Sequence, residues 1–285
     1  MPVRDFEYHR PGNLKEACSL MAGLEEAQVV AGGTDLLVDM DAGIRRARHV
    51  ISLSRLEELS RIEEVESGVS IGAGCTARRV EESPLLRKTF PELTGMVEMF
   101  ASPQVRTRAT VGGNICSAVA CGDFPVILIA LGADVELASS RGTRRLALKD
   151  FFLGNRETVR RHDEIVTRIL VPLKPPGGAA RYEKFRRRAS NALAVASVAV
   201  YLHLDNGRCR EGRVVLGAVA PTPLVAVKAG CFLEGKVITD DVIAGAAEQA
   251  KREARPITDV RGTEGFRREL VAVLTRRAIK GCLAG

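Results

Sequence analysis

Arg108-Ala-Thr-Val-Gly-Gly-Asn-Ile-Cys-Ser-Ala-Val-Ala-Cys-Gly-Asp123 decides the reading of this chain. Two adjacent glycines stand between Val111 and Asn114, shortly before the apolar run of residues 124–131. Paired glycines cost backbone entropy, so they signal either positive φ or the close approach of another group. Consecutive backbone N–H groups in such a turn form a concavity suited to an anion. An upstream stretch, Val29-Val-Ala-Gly-Gly-Thr-Asp-Leu-Leu37, repeats the arrangement: an apolar strand, Gly-Gly, a hydroxyl, then a helical pattern. Two such nests in one domain can hold the two phosphates of one pyrophosphate.

Working outward, the N-terminal side reads as a short strand at 6–8, stopped by Pro11-Gly12. Asn13 with Glu16 forms a capping-box-like start for a helix over 14–21. Residues 28–31 form a buried strand into the first nest, 36–40 continue as a helix, and 49–53 form another strand. Residues 61–66 and 69–72 read as a hairpin turning at Ser67-Gly68. It ends in Gly72-Ala-Gly-Cys-Thr-Ala77, which matches G-x-G-x-x-A. The preceding strand belongs to a hairpin, and no acidic residue closes a following strand, so a Rossmann unit is rejected. Thr76 is read instead as the cap of a short helix.

On the C-terminal side of the glycine stretch, residues 124–131 fit a helix and 134–138 a strand. Residues 148–152 form a core segment, and 165–171 a strand that closes this half. Pro172-Leu-Lys-Pro-Pro-Gly-Gly178 is the best linker in the chain. It divides the sequence into an expected domain over 1–175 and a second over 176–285. The second reads as strands at 181–185, 193–204 and 214–220, with a hairpin turn at Asn206-Gly207, then helices over 240–252 and 266–279.

Composition narrows the function classes. Seven scattered cysteines without a C-x-x-C pair argue against a disulfide framework and for reduced thiols in a cytosolic chain. Cys116 and Cys121 have the C-x4-C spacing that opens a plant-type iron–sulfur motif, but the cysteine required next is missing. The four histidines show no ligand spacing, so no metal site is expected. The N-terminus shows no signal-peptide h-region and no apolar run is long enough to span a bilayer, which places the expected location in the cytoplasm. A net charge of +7 and a pI near 9.2 raise nucleic acid as a partner. Against it stand the absence of tryptophan and the dispersal of the basic clusters Arg45-Arg46-Ala-Arg48, Lys184-Phe-Arg-Arg-Arg188 and Arg276-Arg277. A solvated face or a subunit interface accounts for them better.

Taken in order, these residues resemble the flavin-binding medium subunit of the molybdenum hydroxylases, the group that contains carbon monoxide dehydrogenase and xanthine dehydrogenase. The likeness runs through Phe6-Glu-Tyr-His-Arg-Pro11, Ala31-Gly-Gly-Thr-Asp-Leu-Leu37, Ser102-Pro-Gln-Val-Arg106 and Thr110-Val-Gly-Gly-Asn-Ile115 to Gly122-Asp123. It continues in Tyr182-Glu-Lys-Phe-Arg-Arg187, Gly217-Ala-Val-Ala-Pro-Thr-Pro223 and Asp259-Val-Arg-Gly262. The resemblance implies a mixed α+β protein: a p-cresol-methylhydroxylase-type FAD-binding domain in two lobes, then a C-terminal α+β domain. It implies FAD with its pyrophosphate between the two nests, the first formed by Val29, Val30, Ala31, Gly32, Gly33, Thr34, Asp35 and Leu36. Thr110, Val111, Gly112, Gly113 and Asn114 form the second. Asp123 is implied as a polar contact to the cofactor, Phe100 as an aromatic near the flavin ring and Val166 as backbone at the ring edge. Lys184 is implied as a partner for a flavin carbonyl or N1.

The chain departs from the family pattern at Ala109, where a glycine is usual, and at Cys121, where a small or polar residue is usual. The cysteine-bearing insertion of the hydroxybenzoyl-CoA reductase branch is not evident. No catalytic side-chain constellation is visible, which fits a site where the cofactor carries the chemistry. The resemblance implies an electron-transfer subunit. A molybdopterin large subunit and a small subunit with [2Fe–2S] clusters are its expected partners, and NAD⁺ or another oxidant its acceptor. The alternatives are a stand-alone flavin oxidoreductase of the same broad fold and a basic nucleic-acid or scaffold protein.

Overall fold

The computed structural model describes residues 5–188 and 191–284. The chain opens with strand β1 (Glu7–His9), helix α1 (Leu14–Gly23), strand β2 (Ala27–Val30), helix α2 (Leu36–Asp41) and strand β3 (His49–Ser52). The three strands make a parallel sheet ordered β1-β3-β2. Asn13 caps α1 by accepting from the Glu16 N–H at 2.9 Å. The Glu16 carboxylate reaches back to the N–H of Gly12 at 2.7 Å, one residue further out than an ordinary capping box.

Next come β4 (Ile62–Val65) and β5 (Gly68–Gly72), then five helices: α3 (Ala77–Glu82), α4 (Pro84–Thr89), α5 (Pro91–Glu98), α6 (Pro103–Arg106) and α7 (Val111–Ser117). The β4–β5 hairpin pairs Val65 with Gly68, so its turn sits at Glu66-Ser67, one residue before the expected position. Helix α8 (Asp123–Ala130) leads into β6 (Asp134–Ser139), β7 (Gly142–Ala147), β8 (Phe152–Gly154), β9 (Glu157–Thr158) and β10 (Ile165–Pro172). A five-stranded antiparallel sheet has the order β4-β5-β10-β6-β7. In its centre β10 is buried on both faces, which explains why its sequence is nearly all apolar.

The remaining elements are β11 (Gly178–Phe185), β12 (Ala196–Asp205), β13 (Arg208–Gly217), β14 (Leu224–Val225), α9 (Val227–Leu233), α10 (Asp240–Glu253) and α11 (Glu264–Leu283). Here the strands form one antiparallel sheet in sequence order. Asn206 and Gly207 both have positive φ, as a two-residue hairpin turn demands. Period-2 alternation splits this sheet's contacts. Val198, Val200, Leu202, Val214 and Leu216 join the core against α10 and α11. Tyr182, Ala199 and Val215 belong instead to the core that contains α8. Every residue of α8 is buried, from Asp123 to Ala130, so the helix lies between the two halves of the chain.

The linker is pinned. Lys174 donates to both carboxylate oxygens of the buried Glu92, at 2.7 and 2.9 Å, and Leu204 donates its N–H to the Gly177 carbonyl at 3.0 Å. All seven cysteines carry free thiols. Among the described residues, no helix is long and apolar enough to cross a membrane.

Candidate functional site

Both glycine stretches meet at one cleft of about 340 Å³. The first is the loop between β2 and α2. Gly33 adopts φ +75°, and a Cβ on Gly32 would collide with the backbone carbonyl of Arg108, in the approach to the second stretch. The expectation of positive φ or close approach is thus met at these two positions by different means. Among the described residues, the N–H groups of residues 31–36 form no hydrogen bond to protein. These residues line the cleft, and free donors in a turn of this kind suit an anion.

The second stretch differs from the expected open nest. Gly112 and Gly113 lie in the first turn of α7, capped by Thr110, whose Oγ1 accepts from the Gly113 N–H at 3.0 Å. Val111 donates to the Cys75 carbonyl at 2.9 Å and Gly112 to the Ala73 carbonyl at 2.8 Å. These donors are therefore spent inside the protein. The acceptors belong to the Gly72–Ala77 loop, the very segment whose dinucleotide pattern is a decoy. Ala73 and Gly74 line the cleft, and a Cβ on Gly112 would press on the Ala73 Cβ at 2.5 Å, so glycine is required for helix and loop to touch. What α7 presents to the cleft instead is the buried Oδ1 of Asn114, which has no hydrogen-bond partner among the described residues.

A side-chain bridge fixes the two stretches to each other. The Ser117 hydroxyl of α7 donates to the Asp35 carboxylate of the first loop. Next to it, Arg156 donates to Asp39 on α2 and gives its own N–H to the Ala118 carbonyl at 2.8 Å. Ala118 ends α7 in the left-handed region at φ 47°.

At the other end of the cleft, Phe100 packs edge-on against Phe124 with ring centroids 5.4 Å apart. Val166 on β10 sits at an irregularity in the pairing with β6. Asp123, at the first turn of α8, is 4% exposed. Its carboxylate accepts from the Tyr182 hydroxyl and from Lys184 Nζ at 2.8 Å. Lys184 Nζ also donates to the Met99 carbonyl at 3.2 Å. Burial and the neighbouring Asp123 charge push the Tyr182 phenol well above its ordinary pKa, so it stays a donor.

Of the residues expected at the site, Val29, Ala31, Gly32, Gly33, Thr34, Asp35, Leu36, Phe100, Thr110, Gly112, Gly113, Asn114, Asp123 and Val166 line this one cleft. Val30, Val111 and Lys184 do not: the two valines are core residues, and Lys184 stands behind Asp123. Sequence reasoning missed Tyr182 and the two cationic lining residues, Arg45 and Arg160. Arg45 was hidden in a basic run read as a solvated face or a subunit interface, yet it pairs with the buried Asp39 at 3.2 Å. Glu164, also lining, is held by Arg144 at 2.6 Å, and that hydrogen bond keeps its pKa below the ordinary carboxylate range.

The second half also braces the cleft through its backbone. Ala218, at φ 60°, donates its N–H to the Ala120 carbonyl at 2.7 Å, in the loop that carries Cys121 and Gly122. The carbonyl of Ala218 accepts from the fully buried Arg267 at 2.9 Å, and Arg267 also pairs with Asp259 at 2.5 Å. The Gly217–Pro223 and Asp259–Gly262 motifs thus act together, as a brace for the cleft loop.

Comparison with known proteins gives the family. Residues 4–174 match the family described as FAD binding domain in molybdopterin dehydrogenase. Residues 180–282 match the CO dehydrogenase flavoprotein C-terminal domain. The chain is 32% identical over 276 residues to the carbon monoxide dehydrogenase medium chain of Afipia carboxidovorans, covering 96% of each. It is 31% identical over 279 residues to the nicotine 6-hydroxylase medium subunit of Paenarthrobacter nicotinovorans, covering 98% of each. The structure superposes on carbon monoxide dehydrogenase from Hydrogenophaga pseudoflava with a TM-score of 0.96 at 33% identity, over 100% of this chain and 99% of that one. The chain belongs to the FAD-binding medium-subunit family of the molybdenum hydroxylases, the flavoprotein components of oxidoreductases.

Proposed function

We propose that this chain carries electrons through FAD between the [2Fe–2S] clusters of a small subunit and NAD⁺ or another oxidant, in a complex whose large subunit holds molybdopterin. The observation that carries the reading is the convergence of both glycine stretches on one cleft, with free N–H donors at residues 31–36 and an unsatisfied Asn114 Oδ1 beside them. These groups fit FAD. The first loop supplies donors for a pyrophosphate without a lysine, Asn114 supplies an acceptor for a hydroxyl or amine, and Arg45 and Arg160 supply cationic balance.

FAD, when bound, supplies the redox chemistry; the chain's own residues bind, orient and shield it. Residues 31–36 would hold the diphosphate, while Thr110, through its cap on α7, keeps Asn114 turned to the cleft. Phe100 and Val166, at the other end of the cleft, would shield the flavin ring from water. Asp123 faces the cleft with its orientation fixed by Tyr182 and Lys184, so Lys184 serves the site through Asp123. With all its cysteines free, the chain suits a reducing compartment, and we place it in the cytoplasm.

The test is the visible spectrum of the purified chain, followed by chromatography of the released cofactor. About one equivalent of FAD is expected, taken up either by the chain alone or with its partner subunits. FMN in its place, or no flavin uptake by the folded complex, overturns the reading. Rapid mixing of the reduced complex with NAD⁺ or a quinone then identifies the acceptor.

A further inference from the structure

Away from the cleft, the parallel pairing of β1 with β3 gathers three metal-ligating side chains. Glu7 and His9 are two residues apart on β1, so they share a face. Register puts Glu7 opposite His49 on β3, and His49 therefore joins the same face. His9 Nε2 lies 3.0 Å from His49 Nδ1, the rings tilted at 46° with centroids 5.2 Å apart. The Glu7 carboxylate oxygens lie 3.3 Å from His49 Nδ1 and 3.9 Å from His9 Nε2. The three donor atoms all fall within 4.8 Å of one another. The two imidazoles are largely buried, whereas Glu7 stands at the solvent edge.

We propose that Glu7, His9 and His49 form a binding site for a divalent transition-metal ion of the zinc class. Two ligand nitrogens on a tetrahedral zinc, with bonds of about 2.0–2.1 Å, stand about 3.3 Å apart. The two ring nitrogens need only a few tenths of an ångström of opening to reach that geometry. Two imidazoles and one carboxylate select Zn²⁺, Ni²⁺, Co²⁺ or Cu²⁺ over Mg²⁺ and Ca²⁺, which favour all-oxygen sets. Without metal the two nitrogens share one proton in a hydrogen bond. On binding, that proton moves to the other nitrogen of its own ring, and both neutral rings present lone pairs, so no net proton is released. The exposed side leaves a fourth position for water. Sequence spacing could not show the site, because His9 and His49 are 40 residues apart and only the strand register unites them. The ion acts as a staple, tying a three-residue edge strand to its neighbour.

The experiment is a Zn²⁺ titration of the full chain against a chromophoric chelator, in a Cys231→Ser background that removes the exposed thiol. One equivalent is expected, with Co²⁺ giving the intense visible bands of a tetrahedral site. His49→Gln should abolish stoichiometric binding. Glu7→Gln, at an exposed position, should weaken it about tenfold while leaving the melting curve unchanged. His203→Gln, on β12, should change nothing. Absence of stoichiometric binding, or binding retained by a folded His9→Asn/His49→Gln double variant, overturns the proposal.

Discussion

At Gly32 the hydrogen atom in place of a side chain is what lets the first loop touch the Arg108 backbone. Gly32→Ala drives a methyl into a carbonyl that cannot swing away, so we expect a loss of about 3 kcal/mol, the upper range for overpacking. Flavin content and thermal midpoint measured on the same sample report it. Gly95→Ala, on α5, is the control, because its Cβ would meet nothing within 4 Å. Asp123 and Lys184 make a second residue-scale case. Breaking one partner of a buried ion pair costs about 3–5 kcal/mol, because the other charge is left uncompensated. Lys184→Met should therefore destabilise more than the double variant Asp123→Asn/Lys184→Met, and denaturant melts would order them. If the single variant proves the more stable, the buried-pair account fails. Asp123 and Lys184 were each visible in the sequence as site residues, but as separate ones. Their partnership spans 61 residues, and Lys184 sits in a basic run that reads as a solvated face or a subunit interface.

Among the elements, α7 shows where local reading stops. Two glycines at the start of a helix run against propensity, so the stretch reads as a turn. The Cys75 and Ala73 carbonyls supply the acceptors that make a helix possible, and they come from a loop more than thirty residues earlier. Thr110→Ala should cost about 1 kcal/mol as a lost N-cap, while Thr110→Ser should retain stability and flavin, both read by thermal melts. Helix α8 was legible from its apolar run. Helix α9 was not, because its seven residues are interrupted by Gly230 and carry no side-chain cap.

Strand β10 and the turn before it carry a pH signature. Arg141 holds Asp163, and Arg144 holds Glu164, below the ordinary carboxylate range. A lowered folded-state pKa adds stability that is fully present above the unfolded value, 4.5 for Glu164. It is lost as pH falls through the folded-state value. The thermal midpoint should drop on acidification below that point, and Glu164→Gln should flatten the slope.

For the whole molecule, the linker gives a boundary in sequence that packing does not respect. Composition shows where Pro172–Gly178 breaks the pattern, but not that Lys174 is anchored on Glu92 or that Tyr182, Ala199 and Val215 complete the core around α8. Calorimetry of the intact chain should give one cooperative transition. A fragment ending at residue 174 should bind a hydrophobic dye and melt at lower temperature, since it uncovers a face of α8. Two independent transitions in the intact chain would contradict the shared core.

Helix α8 also bears on engineering by recombination. Its first residue faces the cleft while its partners Tyr182 and Lys184 arrive from the other side of the linker. A chimera joined at the linker, taking its front half from one homologue and its back half from another, inherits a carboxylate from one parent and its counter-charge from the other. Such hybrids will fold with an intact cleft only when the two parents agree at these positions. Compatibility at three residues, more than overall identity, will decide which grafts survive.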